Sequence, residues 1–250
     1  MIWPSPGATG VILARKQRSP NRLLAALPAS VLKQVHPAYR PIELEHGLIL
    51  GEPGVPQKHV YFPTTAVISS VAVFADGRMV EMATTGCEGM VSTSLILGSN
   101  RTVYRNIVQV PGEGVVMDVK SFRRLRTEVP EFRDLLLAYT RAFLAQVMQS
   151  VACNAVHSVE MRGARWLLMT QDRCGKDSFL LTQEFLGEML GVSRVAVNKV
   201  ARTLQKAGLI TYQRGCVTVL DRSGLEDASC ECYRVIRQLY DQTLSRPFCR

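Results

Sequence analysis

The sequence has no acidic residue before Glu43, no cysteine before Cys87 and no apolar run long enough to span a bilayer. A long uncharged stretch, about His59 to Ala75, is interrupted by Pro63 and by several Thr and Ser, which excludes a membrane helix there. The first cations follow the first apolar residues, the reverse of a secretory signal. The expectation is a soluble, cytoplasmic protein with no membrane partner. The four histidines (36, 46, 59 and 157) never occur as an HxH pair. That counts against a cupin-like metal enzyme, the enzymatic alternative, so no catalytic residue, metal or cofactor is expected. Seven scattered cysteines in 250 residues are too few for a disulfide scaffold and read as free thiols in a reducing compartment.

What is present is basic charge, unevenly placed. The net charge is +9, but residues 42–154 carry ten basic against eleven acidic side chains, so the excess sits at the two ends. A polyanionic partner therefore suits the ends and not the centre.

The most informative stretch is Thr182 to Leu220. Thr182 is a helix cap, and Phe185, Leu186, Met189 and Leu190 follow at the spacing of one buried face. Gly191 permits a sharp turn, Ser193 caps a second helix, and Gly208 stops it. Within that helix Val197, Val200 and Leu204 form the inward stripe, while Arg194, Val195, Asn198, Lys199 and Arg202 share the other face. From Leu190 to Leu220 there are five basic residues and no acidic one. Ile210–Gln213 and Cys216–Leu220 alternate as strands about Arg214-Gly215. The pattern is a winged helix-turn-helix whose second helix is dressed for a DNA major groove. The candidate DNA-contacting residues are Thr182, Gln183, Ser193, Arg194, Val195, Asn198, Lys199, Arg202 and Arg214. An ordinary helical hairpin with a wet basic face would explain the charge, but not the coincidence of caps, turn and wing.

Taken in order, residues 1–20 read as a flexible basic arm with Arg15, Lys16 and Arg18, and 21–37 as two short helical turns broken by Pro28. From about Ile42 to Lys120 short alternating segments are punctuated by turns such as Asp76-Gly77 and Pro111-Gly112, which predicts a β-sandwich or barrel. Its inward set is expected to be Val60, Phe62, Ile68, Val71, Val73, Met82, Ile107, Val110 and Val116, or their neighbours. Pro130 opens a long helix to Asn154, in which Phe132, Leu136, Tyr139, Phe143, Gln146 and Ser150 keep a heptad spacing. These six are the expected dimer seam, although one face of the same helix could instead pack on its own barrel. His157-Ser158 reads as a hinge before a helix reaching Gln171, followed by a loop over Asp172–Ser178 and, after the wing, one final helix from Ser223 to about Leu244. Cys230-Glu231-Cys232 could hold a metal with Cys249 or Cys153. Residues two apart on a helix diverge, however, and no metal is expected.

This order of parts resembles the Crp/Fnr superfamily of bacterial transcription regulators over about residues 21–225. The likeness is most specific over LTQEFLGEMLGVSRVAVNKVARTLQKAGLI, which is similar to the family's helix-turn-helix signature. It implies an α+β chain: a basic arm (1–20), an N-terminal β jelly-roll barrel (21–130), a dimerisation helix and hinge (131–156) and a C-terminal winged helix-turn-helix (157–250). It also implies a homodimer, a two-fold symmetric double-stranded DNA site and RNA polymerase as a partner. Cyclic-AMP-binding members have a Gly-Glu pair followed by an Arg-Ser/Thr-Ala segment. Here the corresponding stretches are Gly86-Cys87-Glu88-Gly89-Met90 and Asn100-Arg101-Thr102-Val103-Tyr104-Arg105. Gly86, Glu88, Arg101 and Arg105 are thus the candidate effector residues, but the order is broken and ordinary cyclic-AMP binding is not expected. The oxygen-sensing members' N-terminal cysteine cluster is absent, and nothing in the spacing of His36, His46, His59 or Cys87 marks a haem ligand. In the recognition helix Val195 stands where the family's common pattern has Glu, and Lys199 where it has Arg, so its common half-site is not carried over. The expected function is a sequence-specific regulator whose barrel senses an unidentified effector. The alternative is a constitutive DNA-binding regulator whose barrel is only a scaffold.

Overall fold

The structure, a computed structural model, describes residues 21–244. The expected basic arm and Cys249 lie outside the described residues. Two short helices, α1 (Arg22–Ala25) and α2 (Ala29–Val35), are separated at Pro28 as expected. Seven strands follow: β1 (Tyr39–Leu44), β2 (Ile49–Gly51), β3 (His59–Pro63), β4 (Val67–Val73), β5 (Met79–Thr85), β6 (Arg105–Val110) and β7 (Gly112–Asp118). They form two antiparallel sheets, ordered β1-β7-β3 and β2-β6-β4-β5, so the chain crosses between sheets in the manner of a jelly roll. The β4–β5 hairpin turns at Gly77, whose φ of 85° requires glycine.

One apolar cluster, with Ile42, Leu44, Leu50, Ile68, Val91 and Val108, draws on both sheets. A larger one joins the sheets to the helices, with Val60, Phe62, Val71, Ile107 and Val110 beside Phe132, Leu136 and Leu168. Six of the nine expected inward residues are therefore buried. Val73 is exposed, and Met82 and Val116 are only partly covered. In β7 it is the neighbour Met117 that is buried, a one-residue shift that puts the other face inside.

Asp118 caps α3 (Val119–Glu128) by accepting from the Ser121 N–H at 2.8 Å. Pro130 begins α4 (Pro130–Val156), a helix of 27 residues, at the position where a missing N–H costs nothing. At the expected hinge the helix breaks: His157 is extended, and Ser158 caps α5 (Val159–Cys174), which ends on Gly175 at φ 65°. From Gly163 to Cys174 every residue of α5 is buried, because barrel, α4 and the C-terminal elements surround it.

Three features differ from those expected. Phe132, Leu136, Tyr139, Gln146 and Ser150 are buried within the single chain, and Phe143 is partly so. The heptad stripe is the face α4 turns to its own barrel: Tyr139 donates to the Met90 carbonyl at 3.0 Å and Gln146 to the Thr84 carbonyl at 2.9 Å. The final helix is two helices, α8 (Arg222–Ala228) and α9 (Cys232–Leu244), because Ser229 is extended. Finally, Cys87 is disulfide-bonded rather than free, whereas Cys153, Cys174, Cys216, Cys230 and Cys232 are free thiols. No helix among the described residues is long and apolar enough to cross a membrane.

Candidate DNA-binding interface

The C-terminal unit is built from local signals. The Thr182 hydroxyl accepts from the Phe185 N–H at 3.1 Å and starts α6 (Gln183–Leu190). Gly191, at φ 64°, ends it, and the Ser193 hydroxyl accepts from the Ala196 N–H at 3.3 Å to start α7 (Arg194–Lys206). The turn is tight because position 187 has no side chain: a Cβ there would lie 3.0 Å from the Val192 carbonyl oxygen. Gly163 serves the crossing of α5 and α7 in the same way, since a Cβ there would lie 3.0 Å from Val200.

Val197, Val200 and Leu204 are buried as expected, which turns the opposite face of α7 to solvent. Arg194, Val195, Lys199 and Arg202 are exposed on it, and Asn198 is partly covered. Val195 is 78% exposed, a large apolar side chain turned to solvent. Among the described residues Arg194, Arg202 and Arg214 have no ion pair, and Lys199 meets only Glu160 at 4.0 Å, in full view of water. Such a pair contributes little. Thr182 and Ser193 are exposed as well, and Gln183 is half-buried.

The wing is β9 (Ile210–Gln213) and β10 (Cys216–Val219), joined by Arg214 and Gly215 at φ 49° and 74°. Positive φ at both turn residues is what a two-residue hairpin needs, and it aims Arg214 outward from the tip. A third strand, β8 (Ser178–Leu180), pairs with β10, so part of the expected loop is the sheet's edge. Its three residues were too short to show alternation.

The barrel meets this unit at two places. The β4–β5 hairpin lies beside the helix-turn-helix: Val80 is 3.6 Å from where a Cβ at Gly191 would be. Between hairpin and turn is a cleft of about 720 Å³ lined by Phe74, Asp76, Arg78, Glu184, Ser193 and Arg194, among others. Deeper in, Glu88 pairs with Arg173 of α5 at 2.8 Å, and Arg173 also donates to Gln146 of α4 at 2.9 Å. Close by, Glu81 accepts from the Trp166 indole N–H at 3.0 Å. Burial pushes the Glu81 carboxyl up to about 7, against the opposing pull of Ser69, Arg165, Trp166 and Arg173. Geometry supports a protonated Glu81. The Ser69 hydroxyl lies 2.6 Å from both a Glu81 oxygen and the Gln109 amide oxygen, and its one proton can serve only one of them.

The expected effector residues are not assembled into a site. Glu88 is fully buried and committed to Arg173, and Gly86 is glycine because a Cβ there would lie 2.4 Å from that arginine's Cβ. Arg105 pairs with Glu52 at 2.8 Å, and exposed Arg101 donates to the Gly54 carbonyl. The Gly-Cys-Glu-Gly loop is thus a packing device; Gly89 makes room for Tyr139 likewise.

Caps, turn and wing together define a winged helix-turn-helix, a DNA-binding fold. Residues 162–228 match the Crp-like helix-turn-helix domain family. In fold the chain is similar to a CRP/FNR-family transcriptional regulator from Thermus thermophilus at 20% identity and TM-score 0.62, covering 76% of this chain and 97% of that one. It is also similar to the c-di-GMP-responsive global regulator CLP of Xanthomonas campestris (15%, 0.62, 78% and 100%). FixK2 from Bradyrhizobium japonicum gives 14%, 0.61, 77% and 98%. No curated protein matches the chain. The chain thus carries a Crp-like helix-turn-helix domain on a fold shared with CRP/FNR-family regulators.

Proposed function

We propose that the protein is a homodimer that reads a two-fold symmetric DNA site through α7. The observation that supports this most directly is the exposed set Arg194, Val195, Lys199 and Arg202 on one face of a capped helix. Arg194 is placed to take guanine O6 and N7, Val195 a thymine methyl and Asn198 an adenine edge. Lys199, Arg202 and wing residue Arg214 meet phosphates, as do Thr182, Gln183 and Ser193 from the helix starts. The working division is barrel 21–130, long helix and hinge 131–156, and reading head 157–250.

The dimer forms across the free face of α4. With its heptad stripe spent on the barrel, α4 still exposes Leu137, Leu144, Met148 and Val151, at helical spacings of seven, four and three. RNA polymerase is the natural further partner of such a regulator, and the cytoplasm its place. The barrel acts through its contacts with α5 and α6, so that a change in the barrel reorients the reading heads. The relatives in fold are regulators rather than enzymes, and no catalytic role is assigned.

Selection from a random DNA pool with ligand-free protein, near physiological salt, tests the reading. A symmetric site with half-sites about one helical turn apart is the expected result. Salt-sensitive binding without enrichment, unchanged when cell extract is added, would reject it. Enrichment only with extract would favour an effector-dependent barrel over a scaffold.

A further inference from the structure

The break between α8 and α9 has a chemical consequence. Cys230 lies in the turn before α9 and Cys232 is that helix's first residue, so the two thiols are not on a continuous helix and do not diverge. Both face the end of α4, where Cys153 and His157 stand one turn apart. The Cys153 and Cys230 sulfurs are 3.5 Å apart, and the Cys232 sulfur is 3.6 Å from His157 Nδ1. All four ligand atoms lie within 4.8 Å of one another. The three thiols are buried and none is in a disulfide.

We propose that Cys153, His157, Cys230 and Cys232 bind one thiophilic divalent cation of the zinc class. Metal–sulfur bonds of ~2.3 Å and metal–nitrogen bonds of ~2.0 Å in a tetrahedron set ligand spacings of roughly 3.5–3.8 Å, close to the 3.5 and 3.6 Å of Cys153–Cys230 and Cys232–His157. An iron–sulfur cluster puts several atoms between its thiolates and needs a wider opening. The donor set of three sulfurs and one imidazole is soft and selects zinc over magnesium or calcium. Four protein ligands close the coordination shell, which makes the site structural rather than catalytic.

The surroundings are those of a metal site and are otherwise unexplained. His157 turns Nδ1 to the sulfurs while Nε2 faces the Glu231 carboxylate at 3.3 Å, which holds the proton on Nε2 and the lone pair on the ligand side. Gln149 donates an N–H to the Cys232 sulfur at 3.1 Å. Three thiolates and a divalent cation leave one negative charge, and the Arg165 guanidinium acts on Cys153 from α5. The cation would fasten the end of the long helix, at its hinge, to α9.

The test is metal analysis and cobalt substitution on the full-length protein, purified under reducing conditions. One zinc per chain is expected. Replacement by Co(II) should give tetrahedral visible bands and thiolate charge transfer of three-sulfur intensity. Cys230→Ser should weaken binding by at least ~100-fold. Glu231→Gln, outside the ligand shell and exposed, should weaken it ~10-fold and leave the fold intact, which covers the case in which Cys230→Ser does not fold. Substoichiometric zinc and cobalt binding, bound metal indifferent to Cys230→Ser and Glu231→Gln, or an octahedral cobalt spectrum would each overturn the site. So would acid-labile sulfide with a brown chromophore, or a Cys153–Cys230 disulfide in place of bound metal.

Discussion

Glu88 and Arg173 form an ion pair at 2.8 Å with 0% and 1% of their side chains exposed. One comes from the loop after β5 and the other from α5, and Gln146 of α4 completes the junction. The dry pair therefore joins barrel, long helix and reading head. Glu88→Gln would leave the arginine's charge stranded, at a cost of about 3–5 kcal/mol. Paired with Arg173→Met it should cost clearly less than the two single changes added. Urea denaturation of the four variants measures that coupling, and simple additivity would mean that the pair does not interact in solution.

The proposed DNA contacts separate into two kinds. Arg194→Ala should cost about 1–3 kcal/mol and relax preference at one base position. Lys199→Ala should weaken all sequences alike and lower the salt slope by about 1. Binding titrations at several salt concentrations on selected and scrambled sites distinguish these outcomes.

The two faces of α4 should respond oppositely. Leu144→Glu, on the open face, should turn a dimer into folded monomer by sedimentation velocity while leaving thermal stability of the monomer near that of the parent. Leu136→Ala, buried against the barrel, should lose about 2–5 kcal/mol of stability without selectively splitting the dimer. Monomers from the second variant and not the first would return the seam to the inner stripe.

Glu81 makes stability depend on pH in an unusual direction. Its folded carboxyl is raised to about 7 by burial, so between the ordinary glutamate value and that point the folded state holds more protons than the unfolded one. Stability is thus full below roughly pH 4.3, the unfolded value. It falls as pH rises towards about 7 and levels off above, by an order of ~3 kcal/mol at 1.36 kcal/mol per pKa unit. Glu81→Gln should flatten that slope in chemical denaturation from pH 5 to 8. An unchanged slope would assign the proton elsewhere.

The reading head was legible because its determinants are local. Thr182, Gly191 and Ser193 act within four residues of themselves, through caps and a positive φ that only a few residue types supply. The long helix was legible as a helix but not by face. A heptad of Phe132, Leu136, Tyr139 and Gln146 looks the same whether its cover is a sister helix or the chain's own sheet. The loop Gly86 to Gly89 was misread for a related reason: glycine that admits a ligand and glycine that admits Arg173 or Tyr139 are the same residue. Cys230 and Cys232 converge only because the chain is extended at Ser229, a break that a helical period does not foretell.

The envelopment of α5 has a consequence for how this protein can be handled. Cutting the chain at the hinge would leave the Trp166 indole without Glu81 and Arg173 without its carboxylate. The reading head is therefore expected to melt in a single transition with the barrel rather than to behave as a detachable module. Damage to the sheet would be felt as lost DNA affinity even where no residue near the nucleic acid has changed.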